Sequence, residues 1–166
     1  MKADFEIRVA RAEEYGAVGA LTVEVYVGEG YIDPESPYAT ELFDTETRAR
    51  AAEVLVAERG GVVLGSLTLA RPGTPYAAIA RADEVEFRML AVGKHARGMG
   101  VGTALVRNVI ETARAEGFEA VVLTTMPPMV DARRIYDRLG FVHVPERDWT
   151  ARPNTPLMPV LRFGLR

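Results

Sequence analysis

The residues whose types and spacing could do chemistry gather around one short run, Arg97-Gly98-Met99-Gly100-Val101-Gly102-Thr103. Beyond it Val101, Ala104, Leu105, Val109 and Ala113 recur at helical spacing, and Gly117 closes the run. Glycines at the mouth of a helix let backbone N–H groups approach an anion without side chains in the way, and the helix dipole favours negative charge there. The expected occupant of this turn is a pyrophosphate. Two familiar phosphate turns do not fit: the spacing is Gly-x-Gly-x-Gly rather than Gly-x-Gly-x-x-Gly, and no Gly-Lys-Ser/Thr follows. Neither His95, just ahead of the glycines, nor His143, in a strand candidate, has an acidic or histidine partner at metal-ligand spacing. Both are read as structural, and no metal is expected. The absence of cysteine excludes thiolate metal sites, disulfides and a cysteine nucleophile, and no motif supports a serine or threonine triad.

Length and composition narrow the setting. The chain has 166 residues, 48% apolar and 26% charged, as expected of one soluble globular domain spanning residues 1–166 with a substantial core. A formal net charge of −3 gives no electrostatic case for a nucleic-acid partner. The amino terminus carries no apolar signal core, and no run of about 18 uncharged apolar residues occurs. The expectation is a cytoplasmic protein without a membrane partner.

The elements that must position the glycine turn follow from periodicity and punctuation. Phe5, Ile7 and Val9 alternate with charged residues as a half-buried strand, and Ala12 to Val27 reads as a helix that Gly28 stops. Gly28 to Tyr38 is a turn-rich connection, and Thr40 to Ala52 is expected to be one further helix capped by Thr40. Glu53 to Glu58 and Val62 to Leu69 form a hairpin around Arg59-Gly60-Gly61, with Gly65 marking a bulge. After the loop from Arg71 to Asp83 come a strand from Glu84 to Val92, the glycine turn with its helix, and a buried strand from Phe118 to Thr124. Strand, helix, strand in that order imply a right-handed parallel crossover. Met126-Pro127-Pro128 breaks the chain before a helix from Asp131 to Leu139, with Gly140 at its left-handed end. Phe141 to Val144 and Leu157 to Phe163 are the last strand candidates. The order is β-α-α-β-β-β-α-β-α-β-β, an α/β domain with a mixed sheet.

With the Arg97 to Gly102 turn, the preceding Met89-Leu90-Ala91-Val92 and the later Ala132…Ile135-Tyr136…Leu139-Gly140-Phe141 in register, the chain resembles the GNAT superfamily of acyl-CoA-dependent N-acyltransferases. The turn matches that family's Arg/Gln-x-x-Gly-x-Gly/Ala signature, and the element order agrees over nearly the whole chain. The implied fold is a GNAT-like mixed, centrally splayed sheet flanked by helices. One position departs: Met129 stands where family members often carry an asparagine.

The resemblance implies a function and a site. The expected activity is transfer of acetyl from acetyl-CoA to a primary amine by direct attack in a ternary complex. The competing class is a non-catalytic CoA-binding regulatory module on the same fold. Backbone amides from Gly98 to Thr103, following Arg97, would hold the pyrophosphate of coenzyme A. The backbone of Leu90, Ala91 and Val92 would serve the pantetheine arm, with Leu90 N–H polarising the thioester carbonyl. Glu86 is the foremost candidate base, with Glu84 and Glu29 behind it. Strand alternation would place Glu86, Arg88 and Leu90 on one face and Phe87, Met89 and Ala91 on the other. Tyr136 would donate a proton to the departing sulfur or hold it. The segment with Glu29, Tyr31, Asp33, Glu35, Tyr38 and Phe43 falls at the family's acceptor wall, an acidic and aromatic lining suited to a small-molecule or peptide amine, with Glu29 and Tyr31 the named contacts. A homodimer through the last strands is a common solution in that family.

Overall fold

The computed structural model describes residues 4–166 of the chain. Seven strands form one sheet: β1 (Glu6–Val9), β2 (Glu53–Arg59), β3 (Val62–Ala70), β4 (Glu84–Val92), β5 (Ala120–Thr124), β6 (Val142–His143) and β7 (Val160–Gly164). They lie in the order β1-β2-β3-β4-β5-β7-β6. Neighbours are antiparallel except β4 and β5, which are parallel and joined by the crossover helix α4 (Val101–Ala115). The other helices are α1 (Tyr15–Tyr26), α2 (Pro37–Phe43), α3 (Thr45–Ala51) and α5 (Val130–Leu139).

The core lies in two layers, one on each face of the sheet. Val85, Phe87 and Leu90 of β4 pack with Val101, Leu105 and Val109 of α4 and with Tyr136 and Phe141. Met89 and Ala91 of the same strand pack instead with Leu21, Val25 and Tyr26 of α1, Leu42 of α2 and Met129. This central strand is covered on both sides, in keeping with its apolar run from Met89 to Val92.

The centre of the sheet splits. Parallel pairing of β4 with β5 covers Glu84↔Ala120 to Glu86↔Val122. Beyond that, β4 stays with β3 as far as Gly65↔Val92, while β5 stays with β7 as far as Thr124↔Val160. Within the β3 pairing the register jumps from Thr68↔Arg88 to Ser66↔Ala91, so β4 spends one more residue than β3. Met89 takes a left-handed backbone there, with φ 59°, the signature of a bulge.

That bulge overturns the expected strand faces. An extra residue shifts the alternation by one, so Leu90 joins Phe87 while Met89 and Ala91 share the opposite face. Glu86 and Leu90 therefore do not share a face. The expected bulge at Gly65 falls one residue away: pairing passes from Ala57↔Gly65 to Glu58↔Val63, leaving Leu64 extra. Gly65 has another task. A Cβ there would sit 2.7 Å from Val101 Cγ1 and 3.1 Å from the Ala91 carbonyl oxygen, so the glycine admits α4 onto the sheet.

The single helix expected from Thr40 to Ala52 is two. Ser36 caps α2 by accepting from Tyr38 N–H, with Pro37 in the first turn, a favoured start. Asp44 ends that helix and caps α3, accepting from the backbone N–H and the hydroxyl of Thr47 at 3.2 and 2.6 Å. Arg48 is buried beneath the joint and donates to the Glu41 and Leu42 carbonyls at 2.6 and 2.9 Å. Among the described residues, no helix is long and apolar enough to cross a membrane.

Candidate active site

The split between β4 and β5 opens into a cleft of about 460 Å³, lined by Leu90 and Val92 of β4, the glycine turn, the start of α4, Met129 and one side of α5. Neither Met89 nor Leu90 has a partner residue in the β3 register, and pairing with β5 has ended at Glu86. Leu90 thus has no partner residue in either register and lies at the cleft wall. Its carbonyl oxygen accepts from the buried Tyr26 hydroxyl at 3.2 Å. Tyr26 was not singled out by the sequence, where it reads only as part of an apolar helix face.

The glycine turn forms the cleft's cationic and amide-rich end. Gly98 and Gly100 have φ 83° and 78°, with open space where a Cβ would be, so backbone conformation demands glycine at both. The first bond of α4 runs from Ala104 N–H to the Gly100 carbonyl. The amides of Val101, Gly102 and Thr103 precede it and are the donors a helix start leaves unused. Those three residues line the cleft. Gly102 has a packing reason instead, since a Cβ would lie 2.8 Å from Ile135 Cδ1 of α5. Met99 lies on the outer side, in a shallow surface hollow with Phe5 and Arg107.

Arg97 lines the cleft and pairs with Glu29 at 2.5 Å. Arg134 and Arg138 of α5 also line it. Sequence reading passed over them because a helical arginine at four-residue spacing looks like an ordinary solvated face. Tyr31 lies at the same mouth as Glu29, whereas Asp33 and Glu35 are exposed and do not line this cleft. The expected acidic wall is therefore reduced to Glu29, which is already engaged by Arg97. Met129 is buried at the start of α5 and offers no side-chain cap there; it makes this part of the wall apolar.

The two carboxylates of β4 have different environments. Glu84 Oε1 and Oε2 each receive Arg147 at 3.0 Å, and Arg162 Nε adds a contact to Oε2 at 3.1 Å. Burial alone would raise its pKa, but Arg147, the Arg81 amide and Arg162 hold it below the usual carboxylate range. Its oxygens are committed to an ion network tying β4 to β7 and the turn at Pro145–Arg147. Glu86 is 1% exposed and has no arginine on it; Oε1 accepts from the Ile79 and Ala80 amides at 2.8 and 3.1 Å. Burial outweighs these donors and raises its pKa above the ordinary value.

Tyr136 is buried, its ring 5.8 Å from Phe87 and 5.9 Å from Phe141. Burial raises its pKa, so the hydroxyl keeps its proton at neutral pH. Glu86 and Tyr136 are not lining residues of the cleft; Tyr136 follows the lining Ile135 on α5, and Glu86 is the last β4 residue paired with β5. Ala91 backs onto the α1 side. His95 is exposed. His143 does have an acidic neighbour, Asp148, at 2.9 Å, and Asp148 also accepts from the Val160 amide; the pair ties β6 to β7. Among the described residues no cluster of metal-ligating side chains occurs.

Residues 16–141 match the family model described as Acetyltransferase (GNAT) family. The N-acetylaspartate synthetase of Danio rerio is 39% identical over 89 residues, covering 52% of this chain and 32% of that protein. The chain thus spans about a third of the length of that curated relative. A GNAT-family acetyltransferase from Staphylococcus aureus superposes with a TM-score of 0.78 at 15% identity, covering 98% of this chain and 99% of the other. A protein from Salmonella typhimurium whose structure holds acetyl-CoA gives 0.72 at 20% identity, covering 99% and 95%. At these identities the structural likeness speaks to the fold.

Proposed function

Because the chain belongs to the GNAT family of acetyltransferases, we propose that it transfers acetyl from acetyl-CoA to a primary amine by direct attack in a ternary complex. One observation carries this reading: the bulge at Met89 leaves Leu90 outside both ladders beside a glycine-capped helix start. Acetyl-CoA supplies a thioester and a thiolate that departs readily.

The residues present fit that donor. The amides of Val101, Gly102 and Thr103 and the guanidinium groups of Arg97, Arg134 and Arg138 face the same cleft and suit a pyrophosphate. The apolar wall of Leu90, Val92, Met129 and Ile135 suits an uncharged arm. Leu90 N–H is the donor for the carbonyl oxygen; a preorganised donor of this kind contributes about 3–4 kcal/mol as charge develops.

An attacking amine of pKa near 10 must lose a proton, at a cost of about 4 kcal/mol at neutral pH. Glu86 is the acceptor for that proton, directly or through a water, and its raised pKa brings it nearer the operating range of a general base. Tyr136, which retains its proton, holds or protonates the sulfur.

The test is acetyl transfer from acetyl-CoA across a panel of primary amines, with thiol release as the readout. Transfer that depends on Glu86 and on Leu90 backbone access is expected. Stabilisation by acetyl-CoA with no turnover on any amine would leave the non-catalytic CoA-binding module instead.

A further inference from the structure

The acceptor's chemistry is written on the other face of β4. Arg88 lies two residues beyond Glu86 and before the bulge, so both side chains leave the strand on the side opposite Phe87. Its guanidinium is half-buried and makes only two long hydrogen bonds, Nη1 to the Tyr76 carbonyl at 3.4 Å and Nη2 to the Tyr38 hydroxyl at 3.3 Å. It stands 6.0 Å from the centre of the Tyr38 ring. The other well-packed arginines have stronger partners. Arg147 holds Glu84, Arg8 holds Glu14 and Arg48 holds the carbonyl end of α2. Among the described residues Arg88 forms no ion pair, and the nearby Glu86 spends Oε1 on two backbone amides.

A guanidinium withdrawn from water without an anion is costly, and its planar fork matches a carboxylate with two parallel hydrogen bonds. Adjacent same-face positions on a strand are about 7 Å apart, so one small molecule can reach both Glu86 and Arg88. We propose that Arg88, with the Tyr38 hydroxyl, binds a carboxylate of the acceptor, which is therefore an amino-acid-like primary amine whose amine points toward Glu86. The inference rests on the acetyltransferase reading for the amine's fate, but the carboxylate site can be measured without turnover.

The probes are free amino acids, L-aspartate and L-glutamate among them, and the corresponding amino-acid amides that lack a free carboxylate, together with a polyamine. Binding is read by calorimetry in the presence of coenzyme A, and transfer is read by thiol release from acetyl-CoA. Amino acids are expected to bind and to be acetylated with KM at least tenfold lower than their amides. R88M is expected to remove that difference while leaving acetyl-CoA affinity unchanged. R88K, which keeps the charge and loses the fork, should weaken carboxylate binding at least several-fold and serves where R88M does not fold. Equal or better use of amides or polyamine, or a carboxylate-to-amide ratio that R88M and R88K leave intact, overturns the inference while acetyl transfer stands. Carboxylate binding lost in R88M without any acetyl transfer upholds the inference and sinks the acetyltransferase reading. No carboxylate binding by the wild-type chain overturns it outright.

Discussion

Glu86 and Glu84 sit two positions apart on one strand, yet only one has the electrostatics of a base. Glu84 is held ionised by two arginines, whereas Glu86 has backbone donors and a desolvated setting that raises its pKa. A raised pKa means Glu86 is protonated at low pH and becomes competent as pH rises through that value. Turnover is therefore expected to climb with pH across an acid limb lying above the ordinary carboxylate range. Glu86→Gln should lower kcat by about 100-fold or more, remove the limb and leave acetyl-CoA affinity near normal. A rate unaffected by the substitution across about pH 6–9 would exclude the base role. Tyr136→Phe removes a hydroxyl and keeps the ring that packs on Phe87 and Phe141. Lower turnover at unchanged melting temperature is expected; a falling melting temperature with normal turnover would assign Tyr136 to packing alone.

At the scale of elements, the three glycines of the turn divide by physical cause. Gly100 caps α4 in a left-handed conformation with open space around it, so Gly100→Val strains the backbone by about 1–2 kcal/mol and should weaken acetyl-CoA binding most. Gly102 is pressed by Ile135, so Gly102→Val should cost about 1–3 kcal/mol of fold stability by overpacking. Chemical denaturation and acetyl-CoA titration of both variants separate the two effects. The Arg8–Glu14 pair ties β1 to the approach to α1 through two hydrogen bonds of 2.7 and 2.8 Å. Hydrogen bonding to Arg8 lowers Glu14 from 4.5 to about 2. A depressed carboxylate stabilises the fold fully above its unfolded pKa and loses that contribution as pH falls through the folded one. Acid titration of stability between those values should thus be shallower in Glu14→Gln than in the unaltered protein.

At the scale of the molecule, the proposed site would use both faces of the split sheet. The glycine turn, α4 and α5 form the cleft on one face, while Glu86, Arg88 and Tyr38 gather on the other. Acetyl-CoA at about 100 times its Kd should stabilise the folded chain by about 2.7 kcal/mol. No shift in thermal unfolding would remove the cofactor from the proposal.

The sequence by itself determined the succession of strands, the hairpin at Gly60-Gly61, the crossover through α4 and the glycine turn, because each is written in local periodicity, turn chemistry or φ preference. Blocks at fixed separations carried the family resemblance in the same way. Only the tertiary structure decided which face each β4 side chain serves. The bulge at Met89 is a mismatch between two strands' lengths, and no residue of β4 announces it. The break at Asp44 was legible only once Arg48 was seen gripping the end of α2. The same holds for charge: Glu84 and Glu86 are the same letter, and they part company because Glu84 meets Arg147 and Arg162, 63 and 78 residues away, while Glu86 meets the backbone amides of Ile79 and Ala80. Partner choice across such separations belongs to packing, which is why the glycine turn could be read from the chain and the surroundings of Glu84 and Glu86 had to wait for the fold.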